Sequence, residues 1–323
     1  MTLAADRRFM AAAIALSERG RAQTGANPNV GCLIVQHSHV IGRGWTQLNG
    51  RPHAEAMALA QAGDAAKGAT AYVTLEPCAH ESARGPTCAD SLIASGIARV
   101  VIALTDPDPR TNGAGIARLQ AAGIDVELGL GAEAARRAMA GWLMLQQHGR
   151  PLVTLKLATS LDGCIALDNG ESQWITSEAA RAHGHLERAR SNMILVGRGT
   201  VDADAPRLDV RLAGLEARSP LRAVLTRRAA PEGWQAFKSP EDICTRADAQ
   251  YLMVEGGAET ASAFLTAGLV DRLLIYRAPI LIGRGKACLA DIGLHRLAEA
   301  HGQWQLVDRR PLGKDQFELY ERA

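Results

Sequence analysis

Arg51-Pro52-His53-Ala54-Glu55, read with Pro77-Cys78 and with Cys88 downstream, is the stretch around which the chain is organised. An imidazole, a carboxylate two residues on and two thiols make the donor set of a catalytic zinc site. Three protein ligands, His53, Cys78 and Cys88, leave the fourth zinc position for water. Zinc lowers the pKa of such a water to about 7. A nearby carboxylate that is not a ligand, here Glu55, can take a proton from the water and hand it to a leaving group. The structural alternative needs four protein ligands, and His80 is the residue near enough in sequence to be the fourth.

The spacing constrains the local fold. In mid-helix, residues two apart point to nearly opposite sides, so His53 and Glu55 share a site only where a helix begins. Pro52 is expected at the first helical position, Ala54 to Ala62 as helix and Gly63 as its stop. Cys88 precedes the apolar run Leu92-Ile93-Ala94, which puts a thiol at a second helix N-terminus. The partial positive charge there favours thiolate, the metal-binding form. His-x-Glu followed by Pro-Cys and a second Cys resembles the signature of zinc nucleobase deaminases.

The chain has 323 residues, enough for two domains of ordinary size. It is 47% hydrophobic and 22% charged with net charge +2 and a pI near 8.3, a globular composition. No long Lys/Arg run gives an electrostatic footprint for nucleic acid. No apolar run approaches the ~18 residues that span a bilayer. Met1 to Phe9 lacks the apolar core of a signal peptide. Six cysteines in a chain this long do not form a disulfide framework, and a reducing cytoplasm is expected. Cys32, Cys164, Cys244 and Cys288 read as small buried hydrophobes.

In chain order, Asp6 to Gly20 reads as helix, and Val30 to Gln36 with Val40 to Trp45 as a hairpin. The helix after His53, strand Ala69 to Leu75 and the loop between the cysteines follow. Next come the helix at Leu92, strand Arg99 to Leu104, helix Ala114 to Ala122, strand Ile124 to Leu128 and a closing helix Glu133 to Gln147. Strand–helix alternation after a hairpin predicts a three-layer α/β sandwich on a mixed sheet. Asn29 is a candidate substrate contact or a cap of its own turn; His80 and Arg84 are loop candidates, His80 the stronger. The polar break Gln147 to Pro151 separates a first domain, 1–147, from a second, 151–323. There, Leu152 to Ala158, Met193 to Val196, Leu221 to Thr226, Tyr251 to Glu255 and Arg272 to Ala278 read as strands. Ser177 caps a helix from Glu178 to Arg190. Gly197 to Thr200 and Gly256 to Thr260 are strand–glycine–helix turns of the kind that cradle phosphate, the second leading into helix Ala261 to Ala267. Neither matches the Rossmann fingerprint. Arg188, Arg198, Arg207 and Arg211 are cations near the first turn.

Asn27-Pro28-Asn29-Val30-Gly31, Pro52-His53-Ala54-Glu55, Gly68 through Cys78, Lys156-Leu157-Ala158 with Ser160-Leu161-Asp162-Gly163, and Gly170 through Thr176 together resemble the bacterial bifunctional pyrimidine deaminase/reductase family of riboflavin biosynthesis. The resemblance runs over almost the whole length. It implies a cytidine-deaminase-like three-layer sandwich followed by a dihydrofolate-reductase-like domain. It implies zinc-dependent hydrolytic deamination of a phosphoribosylamino-diaminopyrimidinone, then NADPH-dependent reduction of ribosyl to ribityl. By motif, it places Ala158, Trp174, Thr200, Asp204 and the Gly257 turn against NADPH, and Ser172, Arg188, Leu208, Arg211 and Glu255 against substrate. It further implies a homo-oligomer.

Several positions depart from the family pattern. The loop between Cys78 and Cys88 is one residue longer than usual, and Thr46 stands where histidine is common. Ala205 replaces the second acid of Asp-Asp-Pro, Arg227 replaces a small hydroxyl residue near the cofactor, and the short 228–250 segment suggests a missing outer strand or helix. These departures motivate an alternative: a deaminase whose second half is a degenerate reductase-like scaffold. A nucleic-acid deaminase is disfavoured by charge, and a non-catalytic zinc module would require a fourth protein ligand.

Overall fold

The computed structural model describes residues 2–80 and 85–323, so Arg84 lies outside the described residues. The chain forms two compact units, Met1–His148 and Gly149–Ala323. Among the described residues, no helix is long and apolar enough to cross a membrane.

The first unit runs α1 (Leu3–Ser17), β1 (Gly31–Gln36), β2 (His39–Trp45), α2 (Ala54–Ala62), β3 (Thr70–Val73), α3 (Cys88–Ala94), β4 (Arg99–Ile102), α4 (Ala114–Ala121), β5 (Asp125–Leu128), α5 (Ala132–Ala138) and α6 (Ala140–His148). The expected single closing helix is interrupted at Met139, which leaves helical geometry at φ −103°, ψ 14°. The sheet order is β2-β1-β3-β4-β5. β1 is antiparallel to both neighbours, and β3, β4 and β5 are parallel.

Glycines set how closely the helices approach. A Cβ at Gly31 would fall 2.0 Å from the Ala13 carbonyl oxygen of α1. Cβ atoms at Gly42 and Gly44 would fall 2.1 Å from the Ala58 and Ala54 carbonyl oxygens of α2. Gly44 pairs with Cys32, the neighbour of Gly31, so α1 and α2 lie on opposite faces of the sheet. That makes the three layers, with Ile34, Tyr72, Val101, Leu92 and Leu119 in the core. Asp6 of α1 is buried and accepts from Tyr72 and from both terminal nitrogens of Arg99, fastening α1 to β3 and β4.

The second unit runs β6 (Leu152–Thr159), β7 (Cys164–Leu167), α7 (Glu178–Ala189), β8 (Met193–Gly197), α8 (Arg198–Asp204), β9 (Leu221–Leu225), β10 (Gln235–Phe237), β11 (Tyr251–Val254), α9 (Ala258–Thr266), β12 (Arg272–Arg277), β13 (Gly285–Ala287), β14 (Trp304–Leu312) and β15 (Asp315–Arg322). Its main sheet has the order β10-β9-β8-β11-β6-β12-β15-β14. It is parallel from β10 to β12 and antiparallel through β15 and β14, while β7 and β13 form a separate ribbon. α9 begins earlier than expected, at Ala258. The outer strand that the short 228–250 segment put in question is present as β10, three residues paired to β9. In the Ser160–Gly163 turn, the Asp162 carboxylate accepts from the backbone N–H of Ile282 and Gly283, so this motif ties β6 to the segment before β13.

Candidate active sites

His53 is the N-cap of α2, with φ −69° and ψ 161°. Because it is extended, its ring is free of the helix's angular step, and this lets His53 and Glu55 face one place. Pro52 therefore precedes the cap and is not the first helical residue, which corrects the sequence expectation. Cys88 is the first residue of α3, whose N-cap Thr87 accepts from the Asp90 N–H. The Cys88 backbone N–H donates to Cys78 Sγ at 3.3 Å. His53 Nδ1 lies 3.2 Å from Cys88 Sγ and 3.7 Å from Cys78 Sγ. Among the described residues these three form a metal-ligand cluster, their donor atoms all within 4.8 Å of one another. Zinc bonds of ~2.3 Å to sulfur and ~2.0 Å to nitrogen space tetrahedral ligands roughly 3.5–3.8 Å apart, so the set fits the ion. His80 is not in the cluster; its Nδ1 sits 3.3 Å from Thr111 Oγ1.

Electrostatics follow from burial. Glu55 is 3% exposed, and burial pushes its carboxyl up to about 6, with the neighbouring Cys78 adding to the rise. Cys88 and His53 hydrogen-bond Cys78 and hold its thiol well below the ordinary range, while the Cys88 thiol is raised. The hydrogen bond to Cys78 in turn raises His53.

Glu76, two residues before Cys78, was not singled out from sequence. Its buried carboxylate accepts four backbone N–H groups: Asp106 and Gly113 on one oxygen, at 3.2 and 3.0 Å, and Gly115 and Ile116 on the other, at 2.9 and 3.2 Å. This neutralises the start of α4 and pins the Pro77–Cys78 backbone against it. A Cβ on Gly115 would lie 2.1 Å from the Pro77 carbonyl oxygen. The signal was available: an acid beside the metal-binding Pro-Cys, opposite a helix that begins without a side-chain cap.

Asn29 does not open onto this site. It is fully buried, and its Nδ2 donates to the Ser17 and Ala138 carbonyls, fastening α1 to the end of α5. Both hydrogens of its amide are thus committed within the fold, and its Oδ1 is buried without a hydrogen-bond partner among the described residues. Thr46 is likewise structural, accepting from the Val30 N–H.

In the second unit a cleft of about 570 Å³ opens among β6, α7, α8 and the Gly256–Gly257 turn. Ala158, Ser172, Trp174, Thr200 and Asp204 line it, as do Arg188, Leu208, Arg211, Glu255 and Gly257. Glu255 sits at its base, gripped by Arg188 Nε and Nη2 at 2.7 and 2.9 Å and by Lys156 at 3.5 Å. Burial alone would raise its carboxyl, but Lys156 and Arg188 outweigh this and pull it down to about 2. Two glycine turns interlock here: a Cβ at Gly197 would fall 2.2 Å from Thr260 Oγ1, and one at Gly256 2.5 Å from Thr260 Cβ. At Gly257, by contrast, a Cβ would meet nothing closer than Thr200 Oγ1 at 3.9 Å, so the N-terminus of α9 faces open space. Ala205 and Leu208 both hold left-handed backbone, with φ of 40° and 54°, in the segment that forms the cleft's rim.

The comparisons with known proteins now bear on both sites. Residues 3–104 match the cytidine and deoxycytidylate deaminase zinc-binding region, and residues 151–248 and 241–315 match the RibD C-terminal domain. The riboflavin biosynthesis protein RibD of Escherichia coli is 42% identical over 96% of this chain and 97% of its own. The chain belongs to the RibD family. The Mycobacterium tuberculosis member is 39% identical over 95% of this chain and 94% of its own. Among solved structures, Acinetobacter baumannii RibD superposes with a TM-score of 0.86 at 35% identity, covering 99% of both chains. The Thermotoga maritima structure, described as a diaminohydroxyphosphoribosylaminopyrimidine deaminase/5-amino-6-(5-phosphoribosylamino)uracil reductase, superposes at 0.87 with 29% identity, also covering 99% of both. The chain thus carries a cytidine-deaminase-like unit and a RibD C-terminal-domain unit, a hydrolase and an oxidoreductase in one polypeptide.

Within this RibD-family cleft the four arginines part company. Arg188 is engaged within the fold: besides Glu255 it bonds the Asp209 carbonyl at 3.1 Å, so it orients Glu255. Arg198 is engaged with Asp202 and the Ala229 carbonyl. Arg207 and Arg211 pair with Asp209 and remain 76% and 51% exposed at the rim, where a phosphate can reach them. Arg227, which replaces a small hydroxyl residue of the family pattern, is exposed and is not among the residues that line the cleft.

Proposed function

We propose that this chain catalyses two consecutive steps of riboflavin biosynthesis. Residues 1–147 deaminate 2,5-diamino-6-(5-phosphoribosylamino)pyrimidin-4-one. Residues 151–323 reduce the ribosyl chain of the product with NADPH, giving 5-amino-6-(5-phosphoribitylamino)uracil. The observation that carries the reading is a three-ligand metal cluster with a buried acid beside it, in the same RibD-family chain as a cleft lined by all ten expected reductase residues.

His53, Cys78 and Cys88 would hold zinc, whose Lewis acidity makes water nucleophilic at neutral pH. Glu55, raised towards neutrality by burial, takes a proton from the attacking water and returns it to the departing ammonia. In the second unit, NADPH would lie along Ala158, Trp174, Thr200, Asp204 and Gly257, supplying hydride for C1′ of the open-chain sugar. The open face of Gly257 at the start of α9 suits its phosphates. Glu255, ionised and held by Arg188 and Lys156, accepts hydrogen bonds from substrate hydroxyl or amine groups. Arg211, with Arg207, receives the sugar phosphate. A well-formed cleft favours this reading over the degenerate scaffold. The six free cysteines are in keeping with a reducing cytoplasm, and a homo-oligomer belongs to the same reading.

A coupled assay on the purified chain tests it, following ammonia release, NADPH oxidation and zinc content. Glu55→Ala keeps its zinc and loses ammonia release alone. Arg211→Ala keeps ammonia release and loses the redox step. Wild type that releases ammonia but consumes no NADPH with the deaminated intermediate would return the second half to a scaffold.

A further inference from the structure

Tyr276 of β12 pairs in register with Ala158 of β6, so both side chains share one face of the sheet. Its ring is 1% exposed and forms part of the inner wall of the cleft, close to Glu255. Among the described residues the hydroxyl has one hydrogen-bond partner, His183 Nδ1 of α7, at 2.8 Å. The other ring nitrogen of His183, Nε2, lies 3.1 Å from Arg310 Nη2 on β14. Arg310 is itself held by Asp308 at 3.4 Å and lies over the Phe317 ring.

This chain has a direction. A guanidinium only donates, so Nε2 of His183 must accept. A neutral imidazole that accepts at Nε2 carries its proton on Nδ1 and donates there. The ring is neutral because burial, foremost, lowers its pKa, with Arg310 and Arg190 adding to the effect and Glu187 and Asp308 opposing it. The Tyr276 oxygen is then the acceptor from His183, and its own hydrogen is left without an acceptor among the described residues. Tyr276 lines the cleft, where a ligand can supply one.

We propose that Tyr276 is a substrate-recognising donor of the reductase site, its O–H aimed at an acceptor atom of the substrate by the relay Arg310 to His183 to Tyr276. The proposal rests on the reductase reading and deepens it. Tyr276 touches substrate; His183 and Arg310 are positioning residues. The raised pKa of the phenol makes it a poor proton donor, so its part is recognition.

Two measurements on the full chain decide this. First, long-range ¹⁵N–¹H NMR of ¹⁵N-histidine protein, with His183 assigned through His183→Gln, reads the tautomer. The Nδ1–H form is expected in wild type, with a shift to Nε2–H in Arg310→Met. The Nε2–H form or imidazolium in wild type at neutral pH overturns the relay. Second, steady-state NADPH oxidation with the deaminated intermediate is compared for wild type, Tyr276→Phe and Arg310→Met. Loss of one donor to a ligand acceptor raises KM on the order of tenfold in Tyr276→Phe, with kcat little changed and ammonia release intact. Arg310→Met raises KM in the same direction, though this exposed side chain touches no substrate. Wild-type KM in Tyr276→Phe overturns the contact. Absence of NADPH oxidation in wild type would instead sink the reductase reading, and the tautomer would still decide the relay.

Discussion

Replacing Glu76 by glutamine tests whether the metal-binding loop is held by its own second layer. The shape is kept, but one carboxylate oxygen becomes an NH₂ facing two backbone N–H groups, either those of Asp106 and Gly113 or those of Gly115 and Ile116. Each buried N–H left without an acceptor costs about 1–3 kcal/mol, so the local penalty is roughly 2–6 kcal/mol. Loss of the anion at the start of α4 adds roughly 0.3–1 kcal/mol. Because Cys78 is two residues away and Ala89 N–H bonds its carbonyl, the strain reaches the ligand set. Groups that orient metal ligands typically change affinity by about 10–100-fold, and zinc affinity is expected to fall within that range. The assays are hydrogen exchange at the Gly113, Gly115 and Ile116 amides and zinc competition against a chromophoric chelator. Protection is expected to collapse at Gly113, or at Gly115 and Ile116, according to which oxygen becomes the NH₂. Wild-type protection together with wild-type zinc affinity would refute the reasoning. Gly115→Ala should act alike by a different route, since its Cβ collides with the Pro77 carbonyl.

Two further outcomes follow from the second unit. Ala205→Gly relieves a left-handed backbone at φ 40° and is expected to stabilise that unit by about 0.5–1 kcal/mol, read as a raised melting temperature; a lowered one would contradict the strain argument. Glu255 has a folded pKa of about 2 against 4.5 unfolded, so its pairing contributes fully above pH 4.5 and is lost as pH falls from there towards 2. The contribution is about 3 kcal/mol at neutral pH, and Glu255→Gln should flatten the acid limb of the stability–pH curve in that window.

Which features the sequence made legible has a physical pattern. His-x-Glu demanded a helix start, and α2 does begin there, but the residue that solves the geometry is His53 itself, extended at the cap, rather than Pro52. The ten residues proposed for the reductase site were reachable only through the ordered motifs, since no periodicity links Ala158 to Arg211; the fold gathers them by bringing strand ends and glycine turns to one cleft. Asn29, a polar residue in a turn, reads as accessible, whereas it is buried with its Nδ2 committed between α1 and the end of α5. The β14–β15 hairpin went unread because β14 is an edge strand, largely exposed along Trp304–Leu312, so it lacks an apolar alternation. β10, at three residues, is too short to carry a period at all. Lys156 stood inside a quoted motif without a role, and the grip on Glu255 supplies one.

The most direct test of the account is X-ray absorption at the zinc edge of the purified chain, with metal content measured on the same sample. One zinc per chain, coordinated by two sulfurs, one imidazole nitrogen and one further light atom, is the expected result, retained in Glu55→Ala and lost in Cys88→Ala. A site with four protein ligands, or a chain that releases ammonia from its pyrimidine substrate without zinc, would contradict it.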